Sequence, residues 1–187
     1  MGRTARFTKT LFVSSLLLFF YGCGEPKKGL PYAIEVDEDH VGRIKADTPY
    51  DTAQIALLMP GFEIKPFTSF VAGEPHSVLH LTYHNQPVMT ITPTKEGNRI
   101  DSVTVHSPEI TAQHRFSIGE TFNKIFQHTG SCTKEKESAS SLMSCQAPGS
   151  RTIFYLFSTD SAEANQHGSD ATQHSWPVEA IIWKPHA

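Results

Sequence analysis

The chain has 187 residues, 39% hydrophobic and 10% aromatic, so it can bury a core and has the length of a single ordinary domain. Its 16 basic and 19 acidic residues give a net charge of -3, which excludes the basic surface expected of a nucleic-acid-binding protein. Three cysteines are too few for a zinc ribbon or a dense disulfide scaffold.

The amino terminus has the pattern of a secretory signal. Three basic residues precede an apolar run at residues 11–21, which is shorter than the roughly 20 residues that cross a bilayer as a helix. The run ends at Gly22-Cys23, which resembles the lipobox of bacterial lipoproteins. We expect residues 1–22 to be a lipoprotein signal peptide and Cys23 to carry the lipid. The alternative is an ordinary secreted protein that is cleaved nearby.

The residues after the cysteine indicate where such a lipoprotein would reside. A glycine stands where lipoproteins kept at the inner membrane usually carry aspartate, so this resemblance predicts the outer membrane, facing the periplasm. We expect a lipid anchor and tether at 23–40 and one α+β periplasmic domain at 41–187. Cleavage would remove Arg3, Arg6 and Lys9 and no acidic residue, which changes the net charge from -3 to -6. Such an acidic domain is held by its acyl chains, not by attraction to anionic headgroups.

Two cysteines remain in the mature chain, in an oxidising compartment. Cys132 and Cys145 lack CxxC spacing and enclose a polar, turn-like segment. We predict a structural disulfide between them, which stabilises the fold by about 3 kcal/mol in the chain-entropy model. A redox or metal-binding pair is the alternative.

The first half of the domain predicts one helix and a series of strands. A short strand at 41–46 precedes a helix with Thr48 as its N-cap and Pro49 at its first position, and Pro60-Gly61 ends it. Beyond the helix the hydrophobic period changes to two, and Asn85-Gln86-Pro87 is the predicted hairpin turn. The strands predicted from this period cover residues 62–70, 77–84, 88–92 and 99–107.

The second half repeats the order of helix and then strands. A helix is predicted at 119–128, where Ser117 and Glu120 have capping-box spacing and an aromatic stripe faces the core. Apolar residues on both faces predict a central strand at 151–158 and a largely buried last strand at 177–184. The predicted class is α+β: an antiparallel meander sheet packed by two short helices, with one disulfide. A helix-plus-meander repeat stays open.

Patterns that carry chemistry are few. His76, His80 and His84 recur every four residues, but the segment alternates as a strand does. His80 and His84 would then lie more than about 12 Å apart, which argues against a shared metal ion.

The acidic residues at 35–39 are interpreted as a solvated charge run, and residues 159–175 are interpreted as a disordered or mobile loop. The sequence contains no nucleophile elbow and no glycine-rich phosphate loop after a strand, so we expect no catalytic residues, cofactor or metal.

A series of residues along the chain carries a family resemblance. They are Val41-Gly42, Thr48-Pro49, Pro60-Gly61, Ile118-Gly119-Glu120-Thr121-Phe122, Cys132, Cys145, Gly149, Trp176 and Ile181-Ile182-Trp183. In this order they resemble the sigma-E-regulated lipoprotein family of Gram-negative bacteria, a domain family of unknown function. The resemblance implies an outer-membrane lipoprotein associated with envelope stress, with no established activity, cofactor or catalytic residues. The lipobox and the longer loop after Ser158 depart from the family pattern.

The start of the second predicted helix has another likeness. Residues 118–121 are similar to outer-membrane assembly lipoproteins and β-lactamase-inhibitor-like domains, which bind proteins through a sheet face. We therefore expect a non-enzymatic accessory or binding lipoprotein with an envelope protein as its partner and no nucleic acid. The alternatives are an inhibitor of a secreted hydrolase such as lysozyme, and a hydrolase whose Asp, His and Ser residues meet in one cleft.

Overall fold

A computed structural model describes residues 29–71, 74–126, 132–134, 142–159 and 175–185. In these ranges the chain is mostly β-sheet with two short helices, so the fold contains more sheet than the expected α+β class suggests. None of the helices described is long and apolar enough to cross a membrane. The predicted signal, Cys23 and most of the predicted loop at 159–175 lie outside the described ranges.

The helices and strands of the described ranges follow one another along the chain. They are β1 (Glu35–Val36), β2 (His40–Val41), β3 (Ile44–Lys45), α1 (Thr52–Leu58), β4 (Glu63–Val71), β5 (Glu74–Tyr83), β6 (Gln86–Pro93), β7 (Ile100–Val105), β8 (Thr111–Ala112), α2 (Phe122–Ile125), β9 (Cys132–Lys134), β10 (Leu142–Gln146), β11 (Ile153–Ser158) and β12 (Val178–Trp183).

Eight strands form an antiparallel large sheet in the order β4-β5-β6-β7-β12-β11-β10-β9. It consists of two meanders, β4 to β7 and β9 to β12, which join through the pairing of their last strands, β7 and β12. Helix α1 precedes the first meander and α2 the second. This is the helix-plus-meander order that the sequence left open. Strand β11 lies inside the sheet, between β10 and β12, as its apolar faces predicted.

A small sheet is formed by β3-β2-β1-β8, in which β1 and β8 pair in parallel. The region predicted as one strand at 41–46 is instead a tight hairpin that turns at Gly42, whose φ is +58°. Ile34 and Val36 are buried at 3% and 0% exposure. The packed part of the chain therefore includes residues upstream of the expected domain start at 41.

One hydrophobic cluster fills the space between the two sheets and the helices. On the large sheet it includes a continuous row of side chains that are at most 1% exposed: Leu81, Met89, Val105, Ile181, Tyr155 and Cys145. Ile44 of the small sheet, Ile55 of α1 and Phe122 of α2 complete the cluster from the opposite side. The aromatic stripe of the second helix packs into this core, as predicted.

The first helix begins later than its sequence suggested. Its N-cap is Asp51, whose carboxylate accepts a hydrogen bond from the Gln54 backbone N–H at 2.9 Å. Thr48 is not the cap, because its hydroxyl accepts from the Lys45 N–H at 2.9 Å and closes the preceding turn. Ile55 faces the core, whereas Leu57 is 74% exposed.

The second helix is shorter than predicted, and Ser117 and Glu120 do not form a capping box. The segment before it is held by main-chain bonds to the start of β12: Phe122 N donates to Trp176 O at 2.8 Å, and Val178 N donates to Glu120 O at 2.9 Å. These bonds engage the Phe122 N–H and the Glu120 C=O, which a helix starting at Gly119 would use for its own hydrogen bonds. Residues 127 and 128 of the predicted helix lie outside the described ranges.

The turn between β5 and β6 lies earlier than predicted, whereas the disulfide forms between the predicted cysteines. The β5–β6 hairpin turns at His84-Asn85, whose φ angles are +49° and +63°, while Gln86 and Pro87 already belong to β6. A two-residue turn with both φ angles positive matches the right-handed twist of the paired strands. The predicted disulfide is present: Cys132 of β9 lies opposite Cys145 of β10, and the two sulfurs are bonded.

Candidate functional site

The face of the large sheet opposite the core carries a row of side chains that crosses seven strands. We call it the outer row, and cross-strand register places its members side by side: Lys65, His80, Thr90, Thr104, Ile182, Phe154 and Gln146. All are half-buried except Lys65, which is exposed. The helices and the small sheet pack on the other face, so none of these elements covers the outer row.

Histidines and a phenylalanine cluster at one end of the outer row. The Phe67 ring stacks on the His80 imidazole with 4.7 Å between centroids. The Thr90 hydroxyl lies 2.9 Å from Nε2 of His106, which follows β7. Burial lowers the pKa of His106, and the charge of nearby His80 lowers it further. The imidazole of His106 is therefore mostly neutral at neutral pH and can exchange a hydrogen bond with the hydroxyl.

A hydroxyl beside an imidazole is also one component of nucleophilic catalysis. That chemistry further requires a group that orients the base and donors that stabilise an oxyanion. The cross-strand neighbours of Thr90 are His80 and Thr104, on a sheet surface. Neither neighbour is a carboxylate that could orient the imidazole.

The other end of the outer row is more apolar. Ile182 lies opposite Phe154, and the Lys184 ammonium sits 5.4 Å from the centre of the Phe154 ring. This cation–π contact keeps the lysine stem over the ring. The outer row thus combines an apolar patch with hydroxyl and imidazole groups, a mixture that is common in protein–protein interfaces.

A groove of about 350 Å³ opens beside the small sheet, lined by Tyr32, Ala33, Glu35, His40, Gly42 and Arg43. The Arg43 guanidinium lies 5.6 Å from the centre of the Tyr32 ring. Burial raises the pKa of Tyr32, and Arg43 partly offsets that effect. His40 Nδ1 contacts the Asp37 carboxylate, so this imidazole already has a partner within the protein.

Glu38 has a structural role that the interpretation as a solvated charge run missed. Its carboxylate accepts hydrogen bonds from the Ser150 hydroxyl at 2.5 Å and the Arg151 N–H at 2.9 Å. Its carbonyl accepts from the Thr152 hydroxyl at 2.9 Å and from Trp183 Nε1 at 3.3 Å. Glu38 therefore ties the small sheet to the large sheet.

The histidines singled out in the sequence are not brought together. His76 and His80 lie in β5, but His84 lies in the turn and not on the strand as predicted. The described residues contain no group of three or more His, Cys, Asp or Glu side chains that could hold a metal ion. Sequence reasoning missed His106, whose relation to His80 depends on the pairing of both β5 and β7 with β6.

Comparisons with known proteins agree with this fold. A protein of Escherichia coli strain K12, named as uncharacterized protein YfeY, is 26% identical over 153 residues, which cover 80% of this chain and 79% of that protein. The crystal structure of YfeY from Escherichia coli matches with a TM-score of 0.66 and 25% identity, over 80% of this chain and 99% of the other. Residues 22–185 match a family described as protein of unknown function (DUF1131), and the chain belongs to that family.

Proposed function

We propose that this protein is a lipid-anchored accessory protein of the bacterial outer membrane that binds an envelope protein through the outer row of its large sheet. The observation that carries the proposal is the face itself, which the described helices and small sheet leave uncovered. The row offers aromatic, aliphatic and hydrogen-bonding groups side by side on a rigid sheet. Such a surface suits the recognition of another protein.

The proposed anchor rests on the amino-terminal sequence. The basic residues, the apolar run and Gly22-Cys23 match a lipoprotein signal, and Cys23 stands 12 positions before the first strand, which begins at Glu35. A link to envelope stress is supported by the resemblance to the sigma-E-regulated lipoprotein family. The partner is proposed to be a protein because the outer row is wide, mixed in polarity and lies on a sheet surface.

A capture experiment with matched variants tests the proposal. Full-length tagged protein is recovered from detergent-solubilised envelopes of the wild type, Thr104→Arg and Gln54→Arg. Thr104 is central in the outer row, whereas Gln54 is exposed on α1. We expect wild type and Gln54→Arg to retain the same envelope protein and Thr104→Arg to lose it, with unchanged melting temperatures. Equal recovery by all three proteins would show that the outer row is not the binding surface.

The same cells test the anchor and an alternative activity. Cys23→Ser should move the protein from the membrane fraction to the soluble fraction, whereas Ser15→Ala, which leaves the cysteine in place, should not. Unchanged fractionation of Cys23→Ser would contradict lipidation at this residue.

If the captured protein is a lytic enzyme, a direct lysozyme-inhibition assay distinguishes an inhibitor from an accessory protein.

A further inference from the structure

Strand β4 forms one edge of the large sheet and carries two exposed aromatic side chains. It pairs with β5 along its whole length, but β5 pairs with β6 only from Leu79 onward. Residues 67–71 and 74–78 therefore form a two-stranded ribbon that extends beyond the sheet. Phe67 is 55% exposed and Phe70 is 70% exposed, and both lie on this ribbon.

The two halves of the β4 edge differ in their protection. Natural sheets commonly block free edges with lysine, proline or a covering group. Lys65 and Pro66 supply such protection where β4 lies against the body of the sheet. On the ribbon, the Tyr50 hydroxyl donates to the Ser77 carbonyl at 2.9 Å and so covers part of the β5 edge. The β4 edge at residues 67–71 carries neither lysine nor proline, and in the described chain no other strand pairs with it.

The hairpin register identifies the backbone groups that point outward from β4. Val71 pairs with Glu74 across two intervening residues, so this closing pair exchanges hydrogen bonds. Bonded and non-bonded pairs alternate along an antiparallel ladder, so the odd-numbered residues of β4 bond to β5 and the even-numbered residues face outward. Pro66 is even-numbered and fits this pattern, because a proline in an edge strand lies where its nitrogen, which carries no hydrogen, faces away from the neighbouring strand. Thr68 and Phe70 then present free N–H and C=O groups.

We propose that this edge pairs with the same edge of a second copy of the chain, antiparallel and about a two-fold axis at Ser69. In this register Thr68 of one copy lies opposite Phe70 of the other, and each residue donates one hydrogen bond and accepts one. The two Ser69 residues form a non-bonded pair, in which antiparallel side chains approach most closely. A two-fold axis at Thr68 would instead place Pro66 of one copy opposite Phe70 of the other. Because proline has no N–H, the Phe70 carbonyl would then lack a donor.

The charges near this edge do not oppose a second copy as the occupant. Lys65 Nζ lies 2.8 Å from the Glu63 carboxylate, so the nearest charges on β4 are paired within one molecule. Thr68, Ser69 and Phe70 are uncharged, so the pairing brings no like charges together at the axis. The Phe67 ring is already ordered by its stack on His80, which reduces the entropy lost on association.

The size of the contact determines the experiment. A pairing of about five residues is small beside the roughly 1,200 to 2,000 Å² that stable interfaces bury, so the dimer is weak and is best trapped covalently. Full-length Ser69→Cys protein in intact cells is oxidised with copper phenanthroline and separated on a non-reducing gel. Ser77→Cys is the matched control, because Ser77 lies opposite Thr68 on β5, one strand away from the axis.

Ser69→Cys should give at least about tenfold more product of twice the monomer mass than Ser77→Cys, because pairing raises the local thiol concentration. Adding Thr68→Pro to Ser69→Cys removes an outward N–H and should reduce the product to the level of Ser77→Cys. Equal yields from Ser69→Cys and Ser77→Cys would overturn the proposal. So would a product from Ser69→Cys whose mass identifies a different protein. The readout does not depend on the anchor or the outer row.

Discussion

At the scale of single residues, Glu38 shows how one carboxylate can join two sheets. Burial raises the pKa of Glu38, but the hydrogen bonds that its carboxylate accepts from Ser150 and Arg151 and the charge of Arg151 outweigh it, so the net pKa is lowered from its usual 4.5. A carboxylate with a lowered pKa in the folded state stabilises the fold above pH 4.5 and loses that contribution as the pH falls through the folded-state value.

Glu38→Gln should therefore lower the free energy of unfolding at pH 7 by about 1.5 to 3 kcal/mol, the usual contribution of hydrogen bonds to a charged group. The difference from wild type should begin to shrink below pH 4.5, where the carboxyl of the unfolded wild type becomes protonated, and should vanish only below the lower pKa of the folded state. Urea unfolding at pH 7, 5 and 3.5 measures both effects. Glu96→Gln, in an exposed turn, is the control and should change little. A Glu38→Gln deficit that stays constant with pH would contradict the charge-assisted role.

At the scale of elements, the disulfide holds the edge strand β9 onto β10. Cys145 is fully buried in the core, and Cys132 lies opposite it on the outermost strand. The bridge closes a loop with a sequence separation of 13.

Cys132→Ser should lower the free energy of unfolding by about 3 kcal/mol in the chain-entropy model. Thermal melts with and without dithiothreitol check this: reductant should destabilise the wild type and leave Cys132→Ser unchanged. A wild-type melt insensitive to reductant would contradict the bridge's contribution.

The elements also show how far sequence reasoning reaches. Several strands of the large sheet were predictable because a buried face imposes a period of two on residues such as Leu79, Leu81 and Tyr83. Strands of two residues have no readable period, so most of the small sheet was missed. Its parallel β1–β8 pairing also joins Val36 to Ala112, which are far apart in sequence. The capping signal at Thr48 failed because its hydroxyl accepts from the Lys45 N–H, and the signal at Ser117 failed because the residues after it bond to the start of β12.

The candidate site was predictable only in outline. The sequence indicated an exposed sheet face, and the alternation around His80 placed that histidine on it. The members of the outer row come from strands of both meanders, so their alignment depends on β7 pairing with β12. Likewise, Glu38 bonds to Ser150 across 112 positions. Local patterns carry no information on such long-range pairings, which tertiary packing decides.

At the scale of the whole molecule, the two sheets share one core, so they should unfold together. Ile44 of the small sheet and Trp183 of the large sheet are both fully buried in the same cluster. Both tryptophans, Trp176 and Trp183, lie in or next to β12, so their fluorescence reports on the large sheet. A substitution in the small sheet that shifts tryptophan fluorescence would demonstrate that the sheets form one cooperative unit.

Ile44→Ala tests this coupling. Truncating a buried isoleucine costs about 2 to 5 kcal/mol through lost burial and the cavity it leaves. We expect the urea midpoints from far-ultraviolet circular dichroism and from tryptophan fluorescence to fall together and by the same amount. Leu57→Ala, at a position 74% exposed, should leave both midpoints almost unchanged. If the small sheet unfolded independently, the two midpoints of Ile44→Ala would separate, because the large sheet supplies most of the strands that circular dichroism detects and would unfold at its own midpoint.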